Sequence, residues 1–288
     1  MATSERVRAW LAGQVRDRVV GPDAAERHTE MYTSDGERWF EEGSPIQRIH
    51  ADSSMFVGGL RALLLQSLHP LAMAGVADHS DYRHDPWGRL QRTAHFLGAT
   101  TYGSSDHAQE AVDRVRTVHG HVVGVAPDGR PYAANDPHLL RWVHVAEVDS
   151  FLAAYRRYGA EPLSDADADE YVCQMAVIAR ALGVPAPPES ERALHDQLRS
   201  FRGELRGSSA ARDVARYLLL QPPMSPAARA PYGVLTASAV ALLPRWARRP
   251  LRLPWFPVAE AVVVRPAGEA VTQALRWALQ PPPDRALD

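Results

Sequence analysis

The chain has 288 residues, is 45% hydrophobic and carries a formal net charge of −2. That length suits one large domain or two small ones with a sizeable core. The charge balance leaves neither the basic excess that favours nucleic acid nor an acidic tail. All 32 basic residues are arginine, as a GC-rich coding sequence would produce, so a single arginine is a weaker functional signal here than usual.

Helical periodicity dominates from the start. Helices are expected at 4–20, 56–78, 86–99, 105–124, 137–158, 164–182, 190–204, 209–220, 226–243 and 267–279, because apolar residues recur at i, i+3, i+4 and i+7 between Pro and Gly breaks. Pro70 should kink the very apolar 56–78 segment. The stretch VAPDGRPYAAN at 125–135 fits a short hairpin around Asp128-Gly129. The Pro-rich region 250–266 reads as a loop across the surface. The expected fold is all-α: an N-terminal helical segment at 1–43, a main helical domain at 44–221, and a C-terminal helical extension of the same domain at 222–288.

The N-terminus has no apolar core of the signal-peptide type. Cys173 is the only cysteine, it falls on an apolar helix face, and no intrachain disulfide can form. A cytoplasmic protein is the expectation. The longest apolar run, GVLTASAVALL at 233–243, is too short to span a bilayer. It is a candidate for core, for contact with a second copy as a homodimer, or for peripheral membrane contact, since RWARRPLR follows it.

Nucleotide and hydrolase signatures are missing: there is no GxSxG elbow, phosphate loop, GxGxxG, HExxH or CxxCH. Histidines on apolar faces are the more informative feature. In 105–124, His119 lies with Val112, Val115, Val118, Val122 and Val123, whereas His121 should point outward. In 137–158, His144 shares a face with Leu140, Val143, Glu147 and Phe151. His69 precedes Pro70 and could bond a carbonyl freed by the kink. Buried imidazoles need partners, and a metal or cofactor would be one. A third element, DPWGRLQRTAHF, caps on Asp85, opens at Pro86 and sets Arg89, Arg92, Thr93 and Phe96 on one side. A solvated basic stripe is the ordinary reading of such a face.

These segments together resemble the MpaB-type and rubber oxygenase catalytic domain family. The resemblance rests on SPIQRIHADSSMFVGGLRALLLQSLHPLAMAGVADHS, DPWGRLQRTAHF, ATTYG, VRTVHGHVVG and YAANDPHLLRWVHVAEVDSFLAAYRRYG, spread over roughly 44–160. It implies a globin-like helical core holding a b-type haem, an iron cofactor, with His119 at the position of the axial metal ligand. It also implies that Arg89, Arg92 and Thr93 form the catalytic distal face, with the two arginines as cofactor contacts as well. His144 matches a family histidine, as a supporting bond, a propionate contact or the alternative axial ligand. The family's rubber oxygenases carry a lysine where Arg92 stands, and arginine is a poor ligand because it keeps its proton. They also carry a glutamate base that LAMAGVADHSDYRHD does not match, with Asp78 and Asp81 the nearest substitutes. The implied activity is a haem-dependent oxygenase-type oxidoreductase that uses O2 or a peroxide on a small apolar or aromatic substrate, with Phe96 and Met73 as candidate pocket walls. A non-enzymatic haem sensor or carrier is the alternative, and a cofactor-free helical interaction protein a third.

Overall fold

Side-chain caps and N-terminal prolines mark where the helices begin. Asp85 accepts from the Gly88 N–H at 2.9 Å, Asp136 from the His138 N–H at 2.7 Å, Ser164 from the Asp167 N–H at 3.0 Å and Ser208 from the Ala211 N–H at 3.0 Å. Prolines open helices at residues 45, 70, 86, 137 and 226, where a missing N–H costs nothing. The computed structural model describes residues 3–19, 21 and 36–280. Much of the expected N-terminal segment (22–35) and the end of the C-terminal extension (281–288) therefore lie outside the described residues.

In chain order the helices are α1 (Thr3–Val19), α2 (Pro45–Ala51), α3 (Met55–Gln66), α4 (Pro70–His79), α5 (Pro86–Tyr102), α6 (Ser105–Gly120), α7 (Pro137–Tyr158), α8 (Asp165–Leu182), α9 (Glu191–Ser200), α10 (Ser209–Leu220), α11 (Pro226–Leu242), α12 (Arg245–Leu251) and α13 (Arg265–Leu279). Between α6 and α7 a two-stranded antiparallel hairpin pairs β1 (Val123–Val125) with β2 (Pro131–Ala133), and Gly129 takes φ +84° at its turn. The protein is all-α apart from this hairpin.

The core is built around α7, which is buried along its length: Trp142, Val145, Ala146, Val148, Phe151, Leu152 and Tyr155 all join the main cluster. Its closest partner is α3. A Cβ on Gly58 would sit 2.9 Å from Phe151 Cδ1 and 3.3 Å from Phe151 Cα, so only glycine allows the two backbones to approach this far. Polar bonds fix the pair. The Trp142 indole donates to Gln66 O at 3.1 Å, and Gln66 returns a bond to Val143 O at 3.1 Å. The buried Arg61 guanidinium meets Asp149 Oδ2 and Ser150 Oγ, each at 2.7 Å, and Leu242 O at 3.1 Å.

Four expectations need correction. The 56–78 segment is two helices, α3 and α4, set at 106°, because Pro70 cannot continue the first. His69 does not bond a freed carbonyl; its Nδ1 accepts the Ala72 N–H at 3.5 Å and so caps α4. The region 250–266 is not a loop. Leu251 ends α12, and after a short coil Pro257–Ala259 and a π turn at Glu260–Val264 lead straight into α13. The expected 105–124 helix also stops at Gly120, leaving Val118 and Val123 exposed at 55% and 54%. Helix α2 was not anticipated.

Buried ions tie α13 to the rest of the molecule and hold the C-terminal segments to one another. Arg276 binds both carboxylate oxygens of Asp52, at 2.9 and 3.1 Å, and Tyr158 O at 2.8 Å. The fully buried Arg248 donates to Leu243 O, Ala241 O, Pro254 O and Glu260. No single helix among the described residues is long and apolar enough to cross a membrane; α3 and α4 pass that test only as a bent pair, and much of that pair is core.

Candidate functional site

Helix α6 delivers His119 in its last turn, and the ring is half-buried beside solvent-exposed Val118 and Gly120. Neither ring nitrogen bonds another described residue, and burial lowers its pKa, so the imidazole is neutral with a free lone pair. His121 points outward, as expected, and bonds Thr117 O.

Helix α5 packs against α6 and carries the arginine face. Its three members are treated differently. Arg89 is half-buried, its guanidinium donates to Ser80 Oγ, and burial with the neighbouring Arg92 charge lowers its pKa. Arg92 is 70% exposed and pairs with Asp85 Oδ2 at 3.1 Å. Thr93 is exposed, and its hydroxyl donates to Arg89 O at 3.1 Å. Of these three polar residues only Arg89 leaves bulk solvent, while Phe96 on the same side packs against the core. Thr93 follows the ordinary habit of a helical threonine, bonding back one turn.

Helix α7 delivers His144. It is buried, its Nε2 has no hydrogen-bond partner, and burial lowers its pKa to about 4. One turn on, Glu147 is half-buried on the same face. Burial raises it to about 7, and no hydrogen bond holds it among the described residues. Across the same interior, His50 of α2 bonds Thr101 Oγ1 through Nδ1 at 2.8 Å and meets Tyr171 OH through Nε2 at 3.3 Å. Burial lowers His50 to about 3. Tyr171 is pushed up by burial and by the charge of Glu147. This part of the core thus holds two imidazoles, a phenol and a carboxyl poised near neutrality, and Met73, Phe96 and Val143 belong to or pack against the same main apolar cluster as Phe151 and Tyr171. A site of this kind can bind a mostly apolar group, ligate it through nitrogen, and exchange a proton with it.

The sequence singled out His119 and His144 but not Glu147, although Glu147 lies one turn from His144 on the same face. A carboxylate at i+3 from a histidine on an apolar face was the available signal. His50 and Tyr171 had none, because only packing brings α2 and α8 to α7. The substitute bases sit elsewhere: Asp78 accepts from Tyr132 OH at 2.6 Å, and Asp81 pairs with His84.

The fold and site define an all-helical domain whose core holds one buried imidazole without a partner, a second bound to Thr101 and Tyr171, and a half-buried carboxyl. Residues 47–277 match the family described as ER-bound oxygenase mpaB/B′/Rubber oxygenase, catalytic domain. The chain belongs to that family, an oxygenase family. Comparison with curated proteins and with solved structures found no match.

Proposed function

We propose that the protein is a haem b-dependent oxygenase acting on a small apolar or aromatic substrate, with His119 as the residue that would hold the haem iron. The observation that carries this is the buried His144 Nε2, which has no hydrogen-bond partner, with the half-buried Glu147 carboxyl one turn away and the half-buried His119 ring also without a described partner. Orphaned buried polar atoms are costly, and a bound cofactor and substrate would meet them. Donor chemistry fits as well, since a neutral imidazole is what haem iron takes from a protein.

Haem, when bound, supplies the activation of dioxygen or a peroxide. The chain supplies the rest. His119 holds the cofactor through one ring nitrogen. Arg89, the half-buried member of the α5 face, presents positive charge where negative charge develops. Arg92 and Thr93 serve the rim of the same face, Arg92 as a propionate partner. Glu147 is the group able to hold or release a proton near pH 7, taking the place of the base that Asp78 and Asp81 do not provide. His144 orients the interior from the opposite helix.

Trp255, Phe256, Val258, Val262 and Val263 are exposed, and the Arg245 guanidinium lies 5.6 Å from the Trp255 ring. With Arg249 and Arg252 also exposed, this face suits peripheral contact with an anionic lipid surface, a source of apolar substrate. A cytoplasmic location is part of the same reading, supported by the single half-buried Cys173.

A visible absorption spectrum of protein made with haem precursor tests the assignment. We expect a Soret band in wild type that is lost in His119→Ala and kept in His144→Ala. Loss only in His144→Ala would reverse the axial assignment, and no Soret band in wild type would sink the haem reading. A carrier or sensor is the second reading, favoured by the engagement of Asp78 and Asp81 elsewhere. It predicts O2 binding without net consumption in the presence of a reductant and substrate.

A further inference from the structure

A second group of ligand-type side chains meets away from the α6 and α7 interior histidines. His69 sits in the bend between α3 and α4, His138 in the first turn of α7, and Glu204 directly after a 3-10 turn at Phe201–Gly203. Glu204 Oε2 accepts from His138 Nε2 at 2.8 Å and from His69 Nε2 at 3.3 Å, and all three atoms lie within 4.8 Å of one another. A cation about 2.1 Å from each of three donors needs those donors roughly 2.9–3.4 Å apart. The two carboxylate sides of the triangle, 2.8 and 3.3 Å, already lie close to that range, and the side between the two ring nitrogens is no longer than 4.8 Å.

The frame around it is rigid. The His69 ring is 1% exposed and packs against Trp142 at 6.2 Å and Phe201 at 6.4 Å. The His138 ring lies over Phe201 at 4.7 Å. His138 and Glu204 are 49% and 41% exposed, so an ion has a path from solvent and open positions once bound. Burial lowers the pKa of His69 against the opposing pull of Glu204. Burial works to raise Glu204, but His138 and His69 together hold its carboxyl below the usual range, so it is ionised. Arg130, the nearby cation that opposes binding, is itself held by Asp128 at 2.7 and 3.0 Å.

We propose that His69, His138 and Glu204 form a binding site for a divalent transition-metal cation of the zinc or ferrous type, with two imidazoles, one carboxylate and open coordination positions. Two imidazoles and one carboxylate make up the donor set of catalytic zinc and of facial-triad iron sites. Binding replaces the two N–H···O bonds to Glu204 by two nitrogen–metal bonds and a carboxylate–metal bond. Each neutral imidazole keeps one proton, moved to Nδ1. For His69 this gives up the Ala72 cap, a bond already at the 3.5 Å limit. No ligand is shared with the proposed haem site, so either reading can fail without the other.

The test is calorimetric titration of chelator-treated full-length protein with Zn2+, and a visible spectrum with Co2+. One equivalent bound at micromolar Kd or tighter is expected, with a Co2+ spectrum showing nitrogen ligation. His138→Ala and Glu204→Gln, both at exposed positions, should each weaken Zn2+ binding at least about 100-fold. His119→Ala should bind Zn2+ like wild type. Binding no tighter than millimolar in wild type, or unchanged in His138→Ala, overturns the proposal and leaves Glu204 as a hydrogen-bond acceptor for two imidazoles.

Discussion

Glu147 is a carboxyl without a hydrogen bond inside an apolar helix bundle, and the chain must keep it protonated to keep it there. Its folded pKa, about 7 against an ordinary 4.5, is raised. A carboxyl with a raised folded pKa favours the native state below the unfolded value, and that contribution is lost as pH rises from 4.5 through 7. Glu147→Gln should therefore raise stability at pH 8 by roughly 2–3 kcal/mol and leave it nearly unchanged at pH 4.5. His50 has the opposite sign. Its folded pKa, about 3, is depressed below 6.5, so its contribution is complete above 6.5 and fades as pH falls toward 3. The acid limb should be shallower in His50→Gln. Urea unfolding at several pH values reads both, and a flat wild-type profile from 4.5 to 8 would remove the case for an enclosed Glu147. The sequence placed His144 and Glu147 on one face. It could not say how far α2 and α8 cover that face, because only packing decides it.

At the scale of elements, the crossing of α3 and α7 rests on one close approach and one buried ion pair. Arg61 and Asp149 are 5% and 9% exposed at their side chains, and His195 Nε2 lies 3.5 Å from Asp149, which raises the imidazole's pKa. Burial works to raise Asp149, but Arg61 and His195 hold it below the usual carboxylate range. Asp149→Ala strands the guanidinium in the core and should cost about 3–5 kcal/mol by urea titration. Asp149→Leu combined with Arg61→Met should recover much of that loss, since an apolar pair leaves no uncompensated charge. A small effect from Asp149→Ala would mean that water reaches Arg61. Most helices were legible because their start signals are local: Asp85, Asp136, Ser164 and Ser208 each cap within three residues. Helix α2 was not, since PIQRIHA is too short for a periodic pattern. The 257–264 turn was missed because prolines at 254, 257 and 266 read as breaks, and yet Pro257 and Pro266 occupy first-turn positions where proline is tolerated.

For the molecule as a whole, the exposed apolar face at 255–263 beside Arg245, Arg249 and Arg252 is the feature that bears on substrate supply. Val258, Val262 and Val263 are 76%, 69% and 62% exposed. If this face meets lipid, the protein should sediment with phosphatidylserine-containing vesicles and not with neutral ones, and less so at high salt. Val262→Asp with Val263→Asp should reduce the bound fraction about tenfold or more without moving the thermal midpoint. Equal sedimentation of the double variant, or none by wild type, would remove the lipid contact.

Helix content, most helix boundaries, the Asp128-Gly129 hairpin and the family were settled by the sequence alone, because periodicity, caps and motif order are properties of neighbouring residues. The tertiary structure decided which polar groups share an environment. It brought His50, Tyr171 and Glu147 into one interior, turned Arg92 and Thr93 of the arginine face to solvent while drawing Arg89 inward, and set His69, His138 and Glu204 on one carboxylate oxygen. These juxtapositions join residues tens to more than a hundred positions apart, and only packing can put them within a few ångströms.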